Sequence, residues 1–281
     1  MTKQFLAGFF SVGMLSAQSV NLAGVWKADL QQSTIPGPPL KEYVEIIEQK
    51  DIHVLETIGI TGPHGDQRAA VAFTTDGKPT IARFNGVPSR LTAVTEGSGL
   101  SLNIETSGRP DAMHRKYELS SNGQKLTLTV DGSSNGHNVH MVYALLKQPD
   151  SAGDALRRPE APASERFKNL KTDLKTLPAS DFINHMRYYA WALNKDCEFC
   201  HVQGHFDADD KDEKRTARRM IAMVASINQS NFEGKPEVNC YTCHEFREHP
   251  QGRPHFEGEP EHQHHPEEHA ANVHETAPAA H

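Results

Sequence analysis

Residues 126–130 read LTLTV and follow the pair NG at residues 122–123. Apolar and polar residues alternate through this run, which is the period of a β-strand with one buried face. An Asn-Gly pair supplies the positive φ angles that a tight hairpin turn needs. The same combination recurs over residues 20–148, with alternating runs at 43–47, 52–55 and 100–104 and turn pairs at 76–77, 85–86 and 135–136. About ten such strands at this spacing predict an antiparallel β-barrel or sandwich.

The opening GVWK at residues 24–27 and the closing strands between residues 117 and 146 resemble the lipocalin-like β domains of exported bacterial proteins. The resemblance implies that residues 20–148 form a lipocalin-like β-barrel, whose interior either holds a ligand or is filled by side chains. The histidines of this half are scattered through the sequence, so we expect them on the surface: His53, His64, His114, His137 and His140.

The first 19 residues predict a signal peptide. Residues 5–15 (FLAGFFSVGML) form an apolar stretch that follows one positive charge and precedes a small-x-small cleavage pattern ending at Ser19. A buried N-terminal strand or helix is the alternative. Removal of this segment predicts a periplasmic or otherwise extracytoplasmic protein, and no later stretch is apolar enough to form a transmembrane segment.

Composition sets further limits on function. The formal charge of −7 argues against nucleic-acid binding, and four cysteines in 281 residues are too few for a disulfide scaffold. Residues 149–166 are rich in Pro, Ala and charge, and predict a linker of partly extended character. Residues 251–281 contain almost no large apolar side chains, and predict a disordered His- and Glu-rich tail. Loose metal binding by His264 and His265 is the alternative for the tail.

All four cysteines occur in two identical frames, residues 197–201 (CEFCH) and residues 240–244 (CYTCH). The pattern Cys-x-x-Cys-His is typical of c-type haem attachment. Two thiols three residues apart on a helical turn reach the two vinyl groups of one porphyrin, and the next residue turns its imidazole under the iron. We therefore expect two covalent c-type haems, one at Cys197, Cys200 and His201 and one at Cys240, Cys243 and His244.

Two other kinds of site use cysteine pairs. Two Cys-x-x-Cys pairs can form a tetrahedral zinc site, and a single pair can be a thioredoxin-type redox centre. Haem attachment requires a His directly after both pairs, and an oxidising compartment favours thioether-bonded sulphur over free thiolates. These two observations favour haem.

The sixth ligand of each iron must come from the other face of its haem. Residues 182–193 predict a helix, which Ser180 or Asp181 would cap. Its apolar stripe consists of Phe182, Met186, Tyr189 and Leu193. Residues 212–228 predict a second helix, with Met220 on its apolar face. A helix with a methionine thus precedes each Cys-x-x-Cys-His, which favours Met186 and Met220 as ligands; core packing is the alternative for each.

Other polar residues near the motifs have competing interpretations. His185 and His205 are rival iron ligands. We expect His185 in solvent, because it shares a helix face with Tyr188, and His205 in a surface loop. Arg218 and Arg219 either pair with haem propionates or lie on a solvated helix face.

The stretch from residue 167 to residue 250 resembles the cytochrome c subunit of photosynthetic reaction centres. The matching signatures are CEFCHV at residues 197–202, ARRMIAM at 217–223 and VNCYTCH at 238–244. In that family each haem unit is a helix, a turn and the attachment motif, and the helix methionine is the distal ligand. The resemblance implies that Met186 serves the haem at His201 and that Met220 serves the haem at His244. The subunit it resembles carries four haems, whereas this chain has cysteines for two.

Together these patterns predict an α+β multidomain chain, in which a β-barrel over residues 20–148 precedes a small, mostly helical di-haem cytochrome domain over residues 167–250. Irons with both axial positions filled are typical of electron transfer, so we expect an electron carrier rather than an enzyme. Its expected partners are redox proteins: a membrane quinol-oxidising complex, a reaction centre or a soluble electron carrier. The alternatives are a di-haem peroxidase, in which one iron loses its distal ligand, and a haem-based sensor whose barrel holds a ligand.

Overall fold

A computed structural model describes residues 20–250 of the chain except residues 64, 110–111 and 135–136. The predicted signal peptide and the predicted disordered tail, including His264 and His265, lie outside the described residues. Within the described part of the chain, no helix has the length and apolar character needed to cross a membrane.

Ten strands in the described residues form one antiparallel sheet: β1 (Gly24–Ala28), β2 (Glu42–Lys50), β3 (His53–Gly62), β4 (Gly65–Thr74), β5 (Thr80–Phe84), β6 (Val87–Glu96), β7 (Gly99–Thr106), β8 (Ala112–Leu119), β9 (Lys125–Ser134) and β10 (His137–Gln148). The strand order is β4-β3-β2-β1-β10-β9-β8-β7-β6-β5. The edge strands β4 and β5 lie side by side, so the sheet curls into a nearly closed barrel. The predicted antiparallel β-barrel is confirmed.

The alternation that predicted β9 fills the barrel interior. Leu126, Leu128 and Val130 are buried, and the threonines between them are half-buried on the opposite face. Leu126 and Leu128 pair in register with Leu145 and Tyr143 of β10, which are also buried. Full burial of one leucine side chain is worth about 1.5–3 kcal/mol, so this register is strongly specified.

A charged cluster also lies inside the barrel, and the sequence pattern did not predict it. Arg115 donates hydrogen bonds to both carboxylate oxygens of Glu56, at 2.9 Å and 2.5 Å. The hydroxyl of Tyr117 donates to Glu56 Oε1 at 2.7 Å, and the hydroxyl of Tyr43 donates to Glu45 Oε2 at 2.7 Å. All five side chains are buried. The cluster therefore holds two carboxyl groups and one guanidinium away from water.

One of the two carboxyl groups is kept neutral. Burial and the neighbouring Glu56 raise the pKa of Glu45 well above its usual value. Burial also opposes ionisation of Glu56, but Arg115 and the hydrogen bonds to that carboxylate overcome it and lower the pKa of Glu56. A single Arg115 cannot balance two buried carboxylates, so the proton stays on Glu45.

The segment predicted as a partly extended linker contains helical turns packed on the barrel. A 3-10 turn covers Asp150–Gly153, and short helices α1 (Asp154–Arg157) and α2 (Ala163–Arg166) follow. Leu156 packs on an outward-facing apolar patch made by Val25, Val44 and Ile46. This patch explains the difference, because apolar residues on the outer face of β1 and β2 need a cover that composition alone does not reveal.

The remaining α-helices follow a 3-10 turn at Asp173–Thr176. They are α3 (Ala179–Leu193), α4 (Cys197–Cys200), α5 (Asp212–Asn231) and α6 (Cys240–His244). Helix α3 lies against one end of the barrel, where Trp191 Nε1 donates to the backbone oxygen of Ser107 at 2.8 Å and Arg187 donates to the Gln67 side chain at 3.2 Å. The hairpin turn at Gly86 contacts the backbone of Asn184. The barrel therefore supports the helix that leads to the first cysteine motif.

The start of α3 differs from the expected cap. Pro178 occupies the cap position and makes no side-chain hydrogen bond to the helix. The carboxylate of Glu160 instead accepts hydrogen bonds from the backbone N–H and the hydroxyl of Ser180. A carboxylate from the preceding segment thus satisfies the helix start, so the prediction that Ser180 or Asp181 caps it was wrong.

Candidate haem-attachment sites

The two cysteine motifs fold into matching helical turns, α4 and α6, each started by an acidic or amide side chain. Asp196 precedes α4, and its carboxylate accepts the backbone N–H of Phe199 at 3.0 Å. Asn239 precedes α6 and accepts the backbone N–H of Thr242 at 3.2 Å, while the Thr242 hydroxyl accepts the N–H of Asn239. These caps hold each Cys-x-x-Cys segment as one turn, on which residues three apart are neighbours.

All four thiols are free, and each motif pairs one exposed with one half-buried cysteine. Burial, together with Glu213, raises the pKa of Cys200, and burial raises the pKa of Cys240. A thioredoxin-type centre needs a lowered thiol pKa to supply the reactive thiolate. The two half-buried thiols, Cys200 and Cys240, are therefore not the source of such a thiolate.

The histidines that end the motifs are oriented in the same way. His201 Nδ1 lies 2.9 Å from the backbone oxygen of Phe206, and His244 Nδ1 lies 3.0 Å from the backbone oxygen of Arg247. A carbonyl oxygen only accepts hydrogen bonds, so Nδ1 of each ring carries the proton. In the neutral imidazole Nε2 then keeps its lone pair, which is the state that a metal-ligating histidine requires.

Electrostatics around the first motif favour the neutral ring. Burial lowers the pKa of His201, and Lys214 and Arg218 lower it further. The donor set at each motif, two thiols and one imidazole with a free Nε2, fits a c-type haem. Among the described residues, no group of three or more His, Cys, Asp or Glu side chains is arranged to hold a metal ion, so the two cysteine pairs do not converge as a four-thiolate zinc site would.

The helices that carry the predicted distal ligands contact the motif turns. Helix α3, with Met186, packs against α4 and α6, and α5, with Met220, packs against α4. Met186 is half-buried, and the Met220 side chain is 39% exposed. Both methionines are thus on helices that pack against the turn of the first motif, and their ligation of iron stays a prediction.

The buried face of α3 matches the predicted stripe only at Phe182, because Met186, Tyr189 and Leu193 are half-buried. Its most buried residues are Ala179, Phe182, Tyr188, Trp191 and Ala192. His185 was expected in solvent because it shares a helix face with Tyr188, and the structure shows His185 half-buried. Only 7% of Tyr188 is exposed, because it packs between Trp191 and Arg83 of the barrel. The reason given for the expectation was therefore wrong, since it took no account of the barrel end against which the helix lies.

The histidines that compete with the methionines as iron ligands are His185 and His205, and the two arginines near the motifs are Arg218 and Arg219. His185 Nδ1 donates to the backbone oxygen of Asp181 at 2.9 Å, one turn earlier in the same helix. His205 is exposed in the loop after the first motif, as expected. Arg218 forms an ion pair with Asp209 at 2.8 Å, and Arg219 donates to the Thr216 hydroxyl at 3.0 Å.

A carboxylate in the loop after the first motif has a role that sequence reasoning missed. The Asp209 carboxylate accepts hydrogen bonds from Lys171 Nζ at 2.8 Å and from Asn169 Nδ2 at 2.9 Å. It also forms an ion pair with the Arg218 guanidinium at 2.8 Å. The hydrogen bonds from Lys171 and Asn169 hold the pKa of Asp209 far below its usual value. The acidic run at residues 207–212 was the available signal, but Lys171 and Asn169 lie about 40 positions earlier in the sequence, so local patterns could not identify them as partners.

Helix α5 braces both motifs through its two buried residues, Lys214 and Asn228. Lys214 Nζ donates to the backbone oxygens of Phe206 and Ala208, at 2.8 Å and 2.6 Å, just after the first motif. Asn228 exchanges two hydrogen bonds with the backbone of Val238, at 2.7 Å and 2.9 Å, just before the second. The two residues are 14 positions apart, about four helical turns, and so lie on one face of α5.

Comparisons with known proteins find a family match that begins at the end of β8 and continues through the helical part of the chain. Residues 118–279 match the sequence model of the family described as the photosynthetic reaction centre cytochrome C subunit. The chain is 35% identical over 86 residues to the photosynthetic reaction center cytochrome c subunit of Thermochromatium tepidum, which covers 29% of this chain and 21% of that protein. It is 38% identical over 61 residues to the corresponding subunit of Roseobacter denitrificans, which covers 19% of this chain and 16% of that protein.

The chain therefore spans about a fifth of the length of these relatives. Among solved structures, a REP1-NXSQ fatty acid transporter aligns with a TM-score of 0.35 and 12% identity over 46% of this chain and 96% of its own. Secretory abundant heat soluble protein 4 of Ramazzottius varieornatus aligns with a TM-score of 0.34 and 14% identity over 47% of this chain and 100% of its own.

Proposed function

The chain belongs to the photosynthetic reaction centre cytochrome c subunit family, and from this premise we propose that it is an extracytoplasmic electron carrier with two covalently bound c-type haems. Membership of this family implies covalently bound c-type haem. The count of two rests on the two Cys-x-x-Cys-His motifs in the sequence. A haem iron of this kind gains and loses one electron between its ferric and ferrous states.

One observation carries the proposal. In both motifs the histidine donates its Nδ1 proton to a backbone carbonyl, His201 to Phe206 and His244 to Arg247. The same orientation at two independent turns leaves both Nε2 atoms available for iron. Cys197 and Cys200 would hold the first haem, and Cys240 and Cys243 the second.

Met186 and Met220 complete the proposed sites as the distal ligands of the first and second haem. A thioether and an imidazole together would raise the reduction potential of a bound haem and would leave no ligand position open. A site with no open position favours electron transfer over reaction with a small molecule such as peroxide. Redox proteins are therefore the proposed partners: a membrane quinol-oxidising complex, a reaction centre or a soluble electron carrier.

The barrel is proposed as a support for the cytochrome half. Its interior is filled by large side chains, among them Trp26, Leu91, Leu102, Leu126 and Tyr117, each no more than 1% exposed. A filled interior counts against the alternative in which the barrel holds a ligand and the haems report its binding.

The test uses the full chain, made together with a cytochrome c maturation system and purified from the periplasm. The proposal predicts two one-electron steps in a redox titration, low-spin spectra for both haems, and no turnover of peroxide. Met220→Ala should change the spectrum of one haem, whereas Met223→Ala, a control on the same helix that is 46% exposed, should leave both unchanged. A high-spin component in the wild type with peroxide turnover would instead identify a di-haem peroxidase.

A further inference from the structure

A lysine is buried beside the first motif. Lys214 of α5 is only 8% exposed, and lysines are rarely buried unless they are paired. Its Nζ donates to the backbone oxygens of Phe206 and Ala208 and lies 3.5 Å from a carboxylate oxygen of Asp209. That carboxylate also pairs with Lys171 and Arg218, so it cannot neutralise all three cations, and positive charge remains at this position.

Lys214 shares its acceptor with the first histidine. The backbone oxygen of Phe206 accepts a hydrogen bond from Lys214 Nζ at 2.8 Å and another from His201 Nδ1 at 2.9 Å. The second motif differs, because His244 donates to the oxygen of Arg247 at 3.0 Å. No lysine among the described residues donates a hydrogen bond to that oxygen; Lys195, which pairs with Glu248 at 2.7 Å, lies over the ring of Phe199 in the first motif.

We propose that Lys214 is a positioning residue that raises the reduction potential of the first haem through the carbonyl it shares with His201. The inference rests on the function proposed above. An ammonium on the carbonyl draws electron density away from that oxygen, so the oxygen polarises the His201 N–H less. The imidazole then donates less electron density to ferric iron, and the positive charge itself favours the ferrous state. Both effects act in the same direction.

The experiment is a redox titration of the holoprotein, followed by haem absorbance, on Lys214→Gln. The glutamine amide keeps a hydrogen-bond donor but loses the charge. At the midpoint potential of the first haem in the wild type, we expect the ratio of oxidised to reduced first haem to rise about tenfold, which corresponds to about 59 mV for a one-electron couple. The second haem should change less than twofold. An unshifted first haem would overturn the inference.

Two control variants separate the shared carbonyl from general charge and from packing. Lys211→Gln removes a neighbouring cation whose Nζ bonds the backbone of Glu198 instead, and it should shift the first haem less than threefold. Lys214→Arg keeps the charge and should stay within about threefold of the wild type. The role of the shared carbonyl would be contradicted if Lys211→Gln shifted the potential of the first haem as much as Lys214→Gln does. It would also be contradicted if Lys214→Arg, which keeps the charge, shifted that potential equally.

Failure of the variant to fold leaves the inference testable. If Lys214→Gln carries no haem, Asp209→Asn replaces it, since loss of that carboxylate leaves Lys214 less compensated and should raise the potential of the first haem. A potential that is unchanged or lower in Asp209→Asn would overturn the inference. A wild-type protein without covalent haem would refute the proposed function itself, whereas two haems with no shift in the variants would refute this inference alone.

Discussion

The hydroxyl of Tyr188 donates a 2.7 Å hydrogen bond to the side-chain oxygen of Asn239, the residue that caps the second cysteine motif. One turn further along the same helix, Trp191 stacks on Tyr241 inside that motif, with ring centroids 5.1 Å apart. Helix α3 therefore supports the second motif as well as leading into the first. The two attachment turns share one scaffold, which itself lies against the barrel.

Removing the Tyr188 hydroxyl tests this support. Tyr188→Phe should lower the free energy of unfolding by about 0.5–1.5 kcal/mol, the usual net worth of one hydrogen bond, and should perturb the spectrum of the second haem only. Chemical denaturation and absorbance of each haem measure the two effects. Tyr189→Phe, which removes a hydroxyl from the next residue of the same helix, is the control. If Tyr188→Phe changed neither the free energy of unfolding nor the spectrum of the second haem, the inference that α3 supports the second motif would be wrong.

Contact between the barrel and α3 is tested at Gly86, in the turn between β5 and β6. Its φ angle is +83°, and an added Cβ would overlap the backbone of Asn184 in α3. Gly97 also has a positive φ angle, +59°, but an added Cβ there meets no atom within 4 Å. Gly86→Ala should therefore cost about 1–3 kcal/mol more than Gly97→Ala in the free energy of unfolding, which is the range for overpacking. An equal loss of unfolding free energy in the two variants would mean that the turn at Gly86 does not contact α3.

The buried acid Glu45 predicts a pH dependence. Its pKa is raised in the folded barrel, so the folded chain keeps a proton that the unfolded chain loses above pH 4.5, the usual value for this group. The stabilisation is complete below that pH and decreases as the pH rises towards the folded pKa, by up to about 1.4 kcal/mol per pH unit. Glu45→Gln mimics the protonated acid and should flatten this decrease, as measured by denaturation between pH 5 and 9.

The neighbouring carboxylate provides the matched control for this prediction. Glu56→Gln leaves Arg115 buried without its charged partner, so it should destabilise the fold at neutral pH by about 3–5 kcal/mol. If Glu45→Gln were the more destabilising of the two, the assignment of the proton to Glu45 would be wrong.

Local patterns predicted the strands and the helical turns of the two cysteine motifs because each is specified by adjacent residues. The alternation at residues 126–130 and the Asn-Gly pair at 85–86 both appear in the barrel as expected. The buried face of α3 was not predictable in this way, since burial of Tyr188 depends on Arg83 and on the barrel end. The alternating pattern is also compatible with Glu45 and Glu56 pointing into the barrel. It does not show that Arg115, which is far from them in the sequence, pairs with them there.

The residues proposed for haem attachment could be identified from the sequence, whereas the contacts that support them could not. A Cys-x-x-Cys-His frame names its own thiols and imidazole, but the carbonyl that orients His201 belongs to Phe206, and the lysine that shares it comes from the next helix. These partners lie close in sequence, but the loop and the helix packing that bring them together are not specified by the motif itself.

The most direct test of the account is the intact mass of the full chain under denaturing conditions, after production with a cytochrome c maturation system. The account predicts a gain of two haem masses over the processed polypeptide, and a gain of one in the paired variant Cys240→Ala/Cys243→Ala. A colourless wild-type protein at the polypeptide mass, or one that carries zinc bound by both cysteine pairs, would contradict it.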